Sequence, residues 1–314
     1  MVDLSTRIGA LTLRNPVMPA SGTFSREMTE VFDLDLLGAL VTKTITAETR
    51  GGNPTPRVCE VEGGMLNSIG IPSKGVGAFL ASEVPAYAGC RSPLVVSISA
   101  PTVEGFAELC RAVSVPGVTA IEANISCPNI EEDGKAFAMR PDTTRRVVEA
   151  LREETELPLW AKLTPNTGET VEVAQAAQDA GADALVVANT ILSMSIDARS
   201  RTPKLGNLMG GLSGPAFKPI ALRMTYQCAR SVDIPVIGCG GITAAEDIAE
   251  FLIAGASAVQ IGTANFINPT AMPRLISDLG HFMAEEGIER VADLVGSIRD
   301  GALDESIRFM ETAP

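Results

Sequence analysis

Short runs of apolar residues alternate with amphipathic stretches along most of the chain. Eight of the runs are predicted to be parallel strands buried on both faces, since most of them are continuous apolar segments without polar alternation. They cover residues 17–20, 39–43, 94–98, 120–124, 159–163, 184–187, 236–238 and 258–261. The amphipathic stretches predict helices, most clearly over residues 102–113, 141–154, 167–180, 215–230 and 243–254. This alternation predicts a (β/α)₈ TIM barrel.

The remaining segments fit the same architecture. Residues 8–13 are predicted to form an N-terminal hairpin that closes the barrel bottom, and residues 272–286 a late helix packed on the barrel. Thr102, Thr167 and Thr243 are predicted helix caps. Two long connections, 44–75 after the second strand and 192–211 after the sixth, are typical of lids or binding loops. No linker marks a second domain, so residues 1–314 are expected to form one. A doubly wound sheet is the alternative, but no G-x-G-x-x-G follows the first strand.

Composition narrows the possible partners. The 314-residue chain has a formal net charge of -13, which argues against nucleic acid or an anionic membrane surface as a partner. The N-terminus lacks a signal-peptide pattern and no apolar run is long enough for a membrane span, so a cytoplasmic location is expected. Six cysteines are scattered without a C-x-x-C pair, which excludes an ordinary zinc or iron–sulfur spacing within this chain.

Polar residues collect at the predicted carboxyl ends of the strands, where barrel active sites lie. Lys43 and Lys162 stand in otherwise apolar strands, so they contact either an anionic ligand in the barrel mouth or an acidic residue of a neighbouring strand. The other ends supply amides and hydroxyls: Ser21, Thr44, Ser97, Asn124, Asn189 and Thr190. The only histidine, His281, lies in the late helix, outside the predicted mouth, and is given a surface or packing role.

Glycine-rich turns follow the last two strands, at Gly240-Gly241 and at Gly262-Thr263. Loops at these positions are the usual phosphate site of the barrel, so a phosphate-bearing cofactor is predicted. Cys127 follows the fourth strand on a loop shaped by Pro128. With no histidine at the mouth, Cys127 is the best candidate general base, and FMN the electron sink that such chemistry needs. The alternative is that Cys127 is a small buried apolar residue.

Six motifs carry a family resemblance. The sequence NSIG at 67–70, NISCPN at 124–129, KLTPN at 162–166, NT at 189–190, GGLSGP at 210–215 and GG at 240–241 resemble class 1 dihydroorotate dehydrogenases. The KLTPN and GGLSGP versions resemble the NAD-linked class 1B catalytic subunit. Ser97, Ser193 and Ser195 depart from residues usual in that family.

The resemblance implies a role for each matching position. Cys127 would take a proton from carbon 5 of dihydroorotate. The substrate would be held by Lys43, Asn67, Ser68, Ile69, Gly70, Ile71, Asn124, Asn129, Asn189 and Thr190. FMN would be held by Ser21, Lys43, Thr44, Ser97, Asn124, Lys162, Ala188, Gly214, Gly240, Gly241, Gly262 and Thr263.

The resemblance also implies partners. The chain would form a homodimer and pair with an electron-transfer subunit carrying FAD and a [2Fe-2S] cluster, giving a heterotetramer that reduces NAD. Alternatives are the fumarate-linked class 1A enzyme, a flavin reductase like tRNA dihydrouridine synthase, a relative of dihydropyrimidine dehydrogenase, and a non-catalytic barrel that only binds a phosphate ligand. The acidic charge speaks against the RNA-directed alternative.

Overall fold

A computed structural model describes residues 2–126 and 136–299. Its largest sheet has eight parallel strands: β1 (Val17–Pro19), β2 (Leu40–Val41), β3 (Leu94–Ile98), β4 (Ala120–Ala123), β5 (Leu159–Lys162), β6 (Ala184–Val187), β7 (Val236–Cys239) and β8 (Ala256–Ile261). Their order is β1-β8-β7-β6-β5-β4-β3-β2. The sheet curls until β1 meets β2, where the Gly38 N–H donates a hydrogen bond of 2.8 Å to the Val17 carbonyl oxygen. All eight predicted strands and the barrel are confirmed.

The α-helices on the outside are Val103–Val113, Pro141–Glu153, Thr170–Asp179, Lys218–Ala229, Ala245–Ile253, Ala264–Ile267 and Ala271–Glu285. Short 3₁₀ turns occupy Arg26–Glu30, Leu34–Leu36, Phe137–Met139, Pro215–Phe217 and Val291–Asp293. A further helical segment runs through Val76–Ala78, a π-helical turn at Phe79–Glu83 and Val84–Tyr87, and was not predicted. The predicted helices are therefore confirmed, with ends shifted by a few residues.

Helix caps were predicted with mixed success. The Thr102 side chain accepts a hydrogen bond from the Gly105 N–H at 3.0 Å, as predicted. The caps predicted at Thr167 and Thr243 are wrong, because the helices begin at Thr170 and Ala245, directly after Glu169 and Ala244. At the second of these helices the Asp247 carboxylate accepts from the backbone N–H of Thr243 at 2.7 Å. An aspartate in the first turn thus reaches back to the backbone N–H groups at and before the cap, as the acidic residue of a capping box does.

Inward-facing side chains fill the barrel interior, and an N-terminal hairpin closes its lower end. Inward side chains of the strands, Trp160 the largest among them, form a cluster separate from the outer core between strands and helices. Ile8 and Leu13 join this inner cluster from an antiparallel hairpin of Thr6–Ile8 and Leu11–Leu13. The predicted plug at the barrel bottom is confirmed, and the opposite end of the barrel remains for a site.

The two long connections meet over that opposite end. Val58–Val61 and Gly64–Asn67 of the first connection join Ile191–Ser193 and Gly210–Ser213 of the second in one four-stranded sheet. Thr49–Arg50 pairs with Ser73–Lys74, and Ile196–Asp197 pairs with Thr202–Pro203. The connections are ordered, as predicted. Their pairing with each other was not predicted, and it ties together the connections that follow β2 and β6.

Candidate active site

A buried charge cluster occupies the barrel interior just below the mouth. Lys162, at the end of β5, donates hydrogen bonds to Ser21 Oγ at 3.2 Å and to Gln260 Oε1 at 2.9 Å. Glu122 on the neighbouring β4 is fully buried, and its Oε1 lies 3.8 Å from Lys162 Nζ. Gln260 Nε2 donates to the other Glu122 oxygen at 2.6 Å. Lys162 therefore has the acidic neighbour that one reading of the sequence foresaw, and also reaches the end of β1.

The Lys162 ammonium is what offsets the buried Glu122 charge. Glu122 Oε1 makes no hydrogen bond to any residue that the structure describes. A buried carboxylate is costly unless a cation and hydrogen bonds compensate it. The cluster thus places a buried ammonium group, paired with a carboxylate, at the floor of the mouth. Sequence reasoning selected Lys162 but missed Glu122 and Gln260, although each is a polar residue in an apolar strand.

An amide–hydroxyl chain, made of Ser97, Thr44, Asn124, Ser126 and Asn189, crosses the mouth. Thr44 Oγ1 lies 2.9 Å from Ser97 Oγ and accepts from Asn124 Nδ2 at 3.3 Å. Ser126 Oγ donates to Asn124 Oδ1 at 2.6 Å, and Asn189 Nδ2 donates to Ser126 Oγ at 2.6 Å. Residues predicted from the ends of β2, β3, β4 and β6 are therefore brought together, and each amide is held in a defined orientation.

Asn166 supports the end of this chain and was not predicted as a site residue. Asn189 Oδ1 accepts from the Thr190 N–H at 2.8 Å, and Asn166 Nδ2 donates to the Thr190 carbonyl oxygen at 3.3 Å. Asn166 Oδ1 also accepts from the Leu192 N–H at 2.8 Å. Asn166 thus ties Thr190 and the following connection to the strand ends.

The stretch from Asn67 to Ile71 forms a rigid lip beside the mouth. Asn67 Nδ2 donates to the Gly211 carbonyl oxygen at 3.3 Å, across the sheet that joins the two connections. Ser68 Oγ accepts from Asn53 and Asn207, each at 2.9 Å. Ile71 has φ 48°, a conformation that is costly for a β-branched residue and is found mostly where function requires it.

The glycine-rich turns form a cradle that fits a phosphate. Gly241 has φ 72°, and a Cβ there would lie 2.8 Å from the Gly214 carbonyl oxygen, so these glycines touch. Thr263 Oγ1 donates to Ser213 Oγ at 2.8 Å, which brings the turn after β8 to the same place. The Gly241 and Thr263 N–H groups donate no hydrogen bond to another described residue. Unpaired N–H groups on adjacent turns suit an anion.

The other predicted residues are placed as follows. Lys43 is half-buried, lies two residues beyond β2 and lines a cavity together with Thr44. Ala188 is buried beyond β6, and its N–H donates to the Cys239 carbonyl oxygen at 3.0 Å. Gly240 and Gly262 directly follow β7 and β8. Cys127 and Asn129 lie outside the described residues, so their roles remain predictions.

The described thiols are poor candidates for a base. Burial raises the pKa of Cys110 and of Cys228 to about 12. Burial also raises the pKa of the Cys239 thiol, which Lys162 lowers and Glu122 raises in turn. Burial thus disfavours the thiolate form of these three groups, and the role of Cys127 as base stays a prediction.

Other kinds of site find no support in the described ranges. They contain no group of three side chains suited to hold a metal ion. No helix in them has both the length and the apolar character to cross a membrane. His281 is exposed on Ala271–Glu285, on the outside of the barrel, in agreement with the predicted surface role.

Comparisons with known proteins identify the family. The family model described as dihydroorotate dehydrogenase matches residues 3–283. The chain is 48% identical over 299 residues to "Dihydroorotate dehydrogenase B (NAD(+)), catalytic subunit" of Pelobacter propionicus, covering 94% of this chain and 98% of that protein. It is 47% identical to the protein of the same name from Geobacter sulfurreducens, with the same two coverages.

A solved structure supports the fold. The crystal structure of DHODH from Eimeria tenella in complex with ferulenol superposes with a TM-score of 0.81, covering 95% of this chain and 89% of that chain at 23% identity. At that identity the likeness concerns the barrel architecture alone. The family match and the curated relatives together confirm the resemblance that the six motifs carry: the chain belongs to the dihydroorotate dehydrogenase family.

Proposed function

We propose that this chain oxidises (S)-dihydroorotate to orotate, in the cytoplasm, as the NAD-linked catalytic subunit of a dihydroorotate dehydrogenase of de novo pyrimidine biosynthesis. The observation that carries the proposal is the amide–hydroxyl chain set above the Lys162–Glu122 pair at the carboxyl end of the barrel. Relatives named as the NAD-linked catalytic subunit, aligned over nearly their whole length, support the same activity. These relatives favour the NAD-linked enzyme over the fumarate-linked, RNA-directed and other pyrimidine-reducing alternatives.

FMN is the cofactor that the site fits. The cradle of Gly214, Gly240, Gly241, Gly262 and Thr263 would take its phosphate. Its ring would lie over residues of the strand ends, namely Ser21, Lys43, Thr44, Ser97, Asn124, Lys162 and Ala188. When bound, FMN supplies the hydride acceptor that side chains lack. Flavin absorbance, measured in the purified protein and after reconstitution with FMN, tests this assignment. A protein that stays colourless after reconstitution would contradict it.

The substrate is a small ring that carries a carboxylate and a ureide edge. Lys43 supplies a cation for the carboxylate, and the amides of Asn67, Asn124 and Asn189 supply both donors and acceptors for the ureide edge. Ser68, Ile69, Gly70, Ile71, Asn129 and Thr190 complete the predicted binding set. The amide–hydroxyl chain orients Asn124 and Asn189, and the Gly211 carbonyl oxygen orients Asn67, before a ligand arrives, which lowers the entropy cost of binding.

The reaction removes two hydrogens from adjacent carbons. In the proposed step, the Cys127 thiolate takes the proton from carbon 5, a hydride leaves carbon 6, and the carbon 5–carbon 6 double bond of orotate forms. The Lys162 side chain, 3.8 Å from Glu122 Oε1, lies below the mouth.

The electrons pass to NAD through a second subunit, which would carry FAD and a [2Fe-2S] cluster. The scattered cysteines of this chain agree with that division.

We further propose a homodimer of this chain, and a heterotetramer with two partner subunits. Several apolar side chains in the connection after β6 are more than 40% exposed, including Leu192, Ile196 and Leu208, as in protein-contact surfaces. Sedimentation of the chain alone and with the partner tests both assemblies.

Asn67→Ala and Asn189→Ala are expected to weaken orotate binding by about 1–3 kcal/mol each, because each leaves polar groups of a buried ligand without a partner. The flavin should stay bound in both variants, since neither side chain belongs to the phosphate cradle. Titration of the flavin absorbance with orotate measures the affinity. Unchanged orotate affinity in both variants would place the substrate elsewhere.

A further inference from the structure

A cavity of about 420 Å³ lies beside the predicted substrate site and opens to solvent. Its floor is apolar and includes the buried side chains of Phe24, Ile45, Phe79 and Tyr87. Its inner wall contains Lys43 and Thr44, just beyond β2. The cavity therefore shares a wall with the mouth, because Thr44 belongs to the amide–hydroxyl chain. Its volume suits a small molecule with one ring.

The outer rim of the cavity is cationic. Arg26, Arg50 and Lys74 line it and are exposed. Within residues 2–126 and 136–299, none of the three has a carboxylate oxygen within 4.0 Å of its side-chain nitrogens, although the charges of Arg26 and Lys74 act on Glu27. Glu27 and Glu83 are the acidic residues of the lining. Hydrogen bonds from Ser25 and from its own backbone lower the pKa of Glu27, and the charges of Arg26 and Lys74 lower it further. Glu27 is thus ionised, but four cationic side chains line the cavity against two acidic ones, so positive charge is in excess there: Arg26, Lys43, Arg50 and Lys74 against Glu27 and Glu83.

This excess contrasts with the rest of the chain. The sequence has 38 acidic against 25 basic residues, so an anion meets a repulsive field over most of the surface. A cleft lined by cations above low-dielectric walls focuses the field and raises the association rate of an anion by about 10–10³. An anionic substrate is attracted only where the local charge is positive. Here the positive rim belongs to the same cavity as Lys43.

We propose that this cavity, the cationic vestibule, is the route by which the anionic substrate reaches the active site. The rim attracts the carboxylate of a small ring compound, the aromatic floor packs against the ring, and Lys43 receives the carboxylate at the inner end. The product, which keeps the carboxylate, leaves by the same route. This inference rests on the proposed function, since it assigns the vestibule to the substrate of that site.

The first test removes the charge of the rim. The triple variant Arg26→Gln/Arg50→Gln/Lys74→Gln is compared with a control, Arg145→Gln/Arg223→Gln/Arg274→Gln, which removes equal charge from exposed positions on the outer helices. Stopped-flow mixing of the FMN-loaded enzyme with orotate measures the association rate from the flavin absorbance. The rim variant should associate about tenfold more slowly at low salt, with a flatter salt dependence. The control should match wild type within twofold.

The second test narrows the opening without changing charge. Ala78 lines the vestibule and is exposed, so Ala78→Trp should obstruct it while the helical segment remains intact. An obstructed route slows association and dissociation of orotate together and leaves the dissociation constant nearly unchanged. Far-ultraviolet circular dichroism and flavin content confirm that the variants fold and carry FMN.

The outcomes separate the two proposals. If the rim variant and Ala78→Trp both keep the association rate and salt dependence of wild type, the proposed substrate route is overturned. The proposed dihydroorotate dehydrogenase activity would be unaffected by that result. Slowed association in the rim variant, with an intact control, supports it. Failure of the wild-type flavin to be reduced by dihydroorotate would instead overturn the proposed function, whatever the binding rates.

Discussion

Cys127→Ser is expected to slow flavin reduction by dihydroorotate about 10²–10⁴-fold at neutral pH, the range attributed to a positioned general base. A thiol with an ordinary pKa near 8.5 is a few per cent thiolate at neutral pH, whereas the serine hydroxyl is almost never ionised. The substitution is nearly isosteric, so fold and flavin content should persist. The rate should recover in part as the pH rises, because more of the hydroxyl is then ionised.

Single-turnover flavin reduction without oxygen, followed across pH, measures this effect. Cys59→Ser is a suitable control, because Cys59 is a partly buried free thiol of the connection after β2 and has no assigned role in proton transfer. The control should keep the wild-type rate and pH profile. Equal rates and pH profiles for wild type and Cys127→Ser would remove Cys127 from the mechanism and return it to a packing role.

Lys162→Met is expected to lower the free energy of unfolding by about 3–5 kcal/mol, because it leaves the buried Glu122 carboxylate without its cation. The Lys162 side chain is about 4% exposed and that of Glu122 fully buried, so water cannot replace the lost partner. The same variant should lose most of its FMN, since the positive charge at the floor of the mouth is gone. Urea unfolding and flavin content after gel filtration are the two measurements.

The double variant Lys162→Met/Glu122→Gln separates stability from cofactor binding. It removes both charges, and the Glu122→Gln side chain still accepts the hydrogen bond that Gln260 donates, so much of the stability should return. FMN binding should not return, because no cation is restored. A double variant no more stable than Lys162→Met alone would show that the two residues do not act as a pair.

The barrel could be predicted because most of its strands are continuous apolar segments, the pattern of parallel strands that are buried on both faces. The same signal exposes polar residues inside those strands. Lys162 was selected on this ground, and Glu122 and Gln260 carry the same signal but were passed over. Their contact could not be predicted, because which inward side chains meet depends on the stagger of β4, β5 and β8 around the barrel.

The parts that escaped prediction depend on tertiary placement. Asn67 and Gly211 lie 144 positions apart in sequence, and only the folded barrel brings their connections into one sheet. The helical segment over 76–87 contains a π-helical turn and Pro85, so its periodicity is weak. The vestibule was not foreseen for the same reason, since its three rim cations come from separate segments.

Anaerobic mixing of the FMN-loaded chain with (S)-dihydroorotate tests the central claim most directly. The account predicts loss of the oxidised flavin absorbance in a single turnover, with one orotate formed for each flavin reduced. Dihydrouracil and dihydrouridine, which lack the carboxylate that Lys43 is assigned to bind, should leave the flavin oxidised. A flavin that stays oxidised with dihydroorotate, and is reduced by one of those neutral compounds instead, would contradict the account.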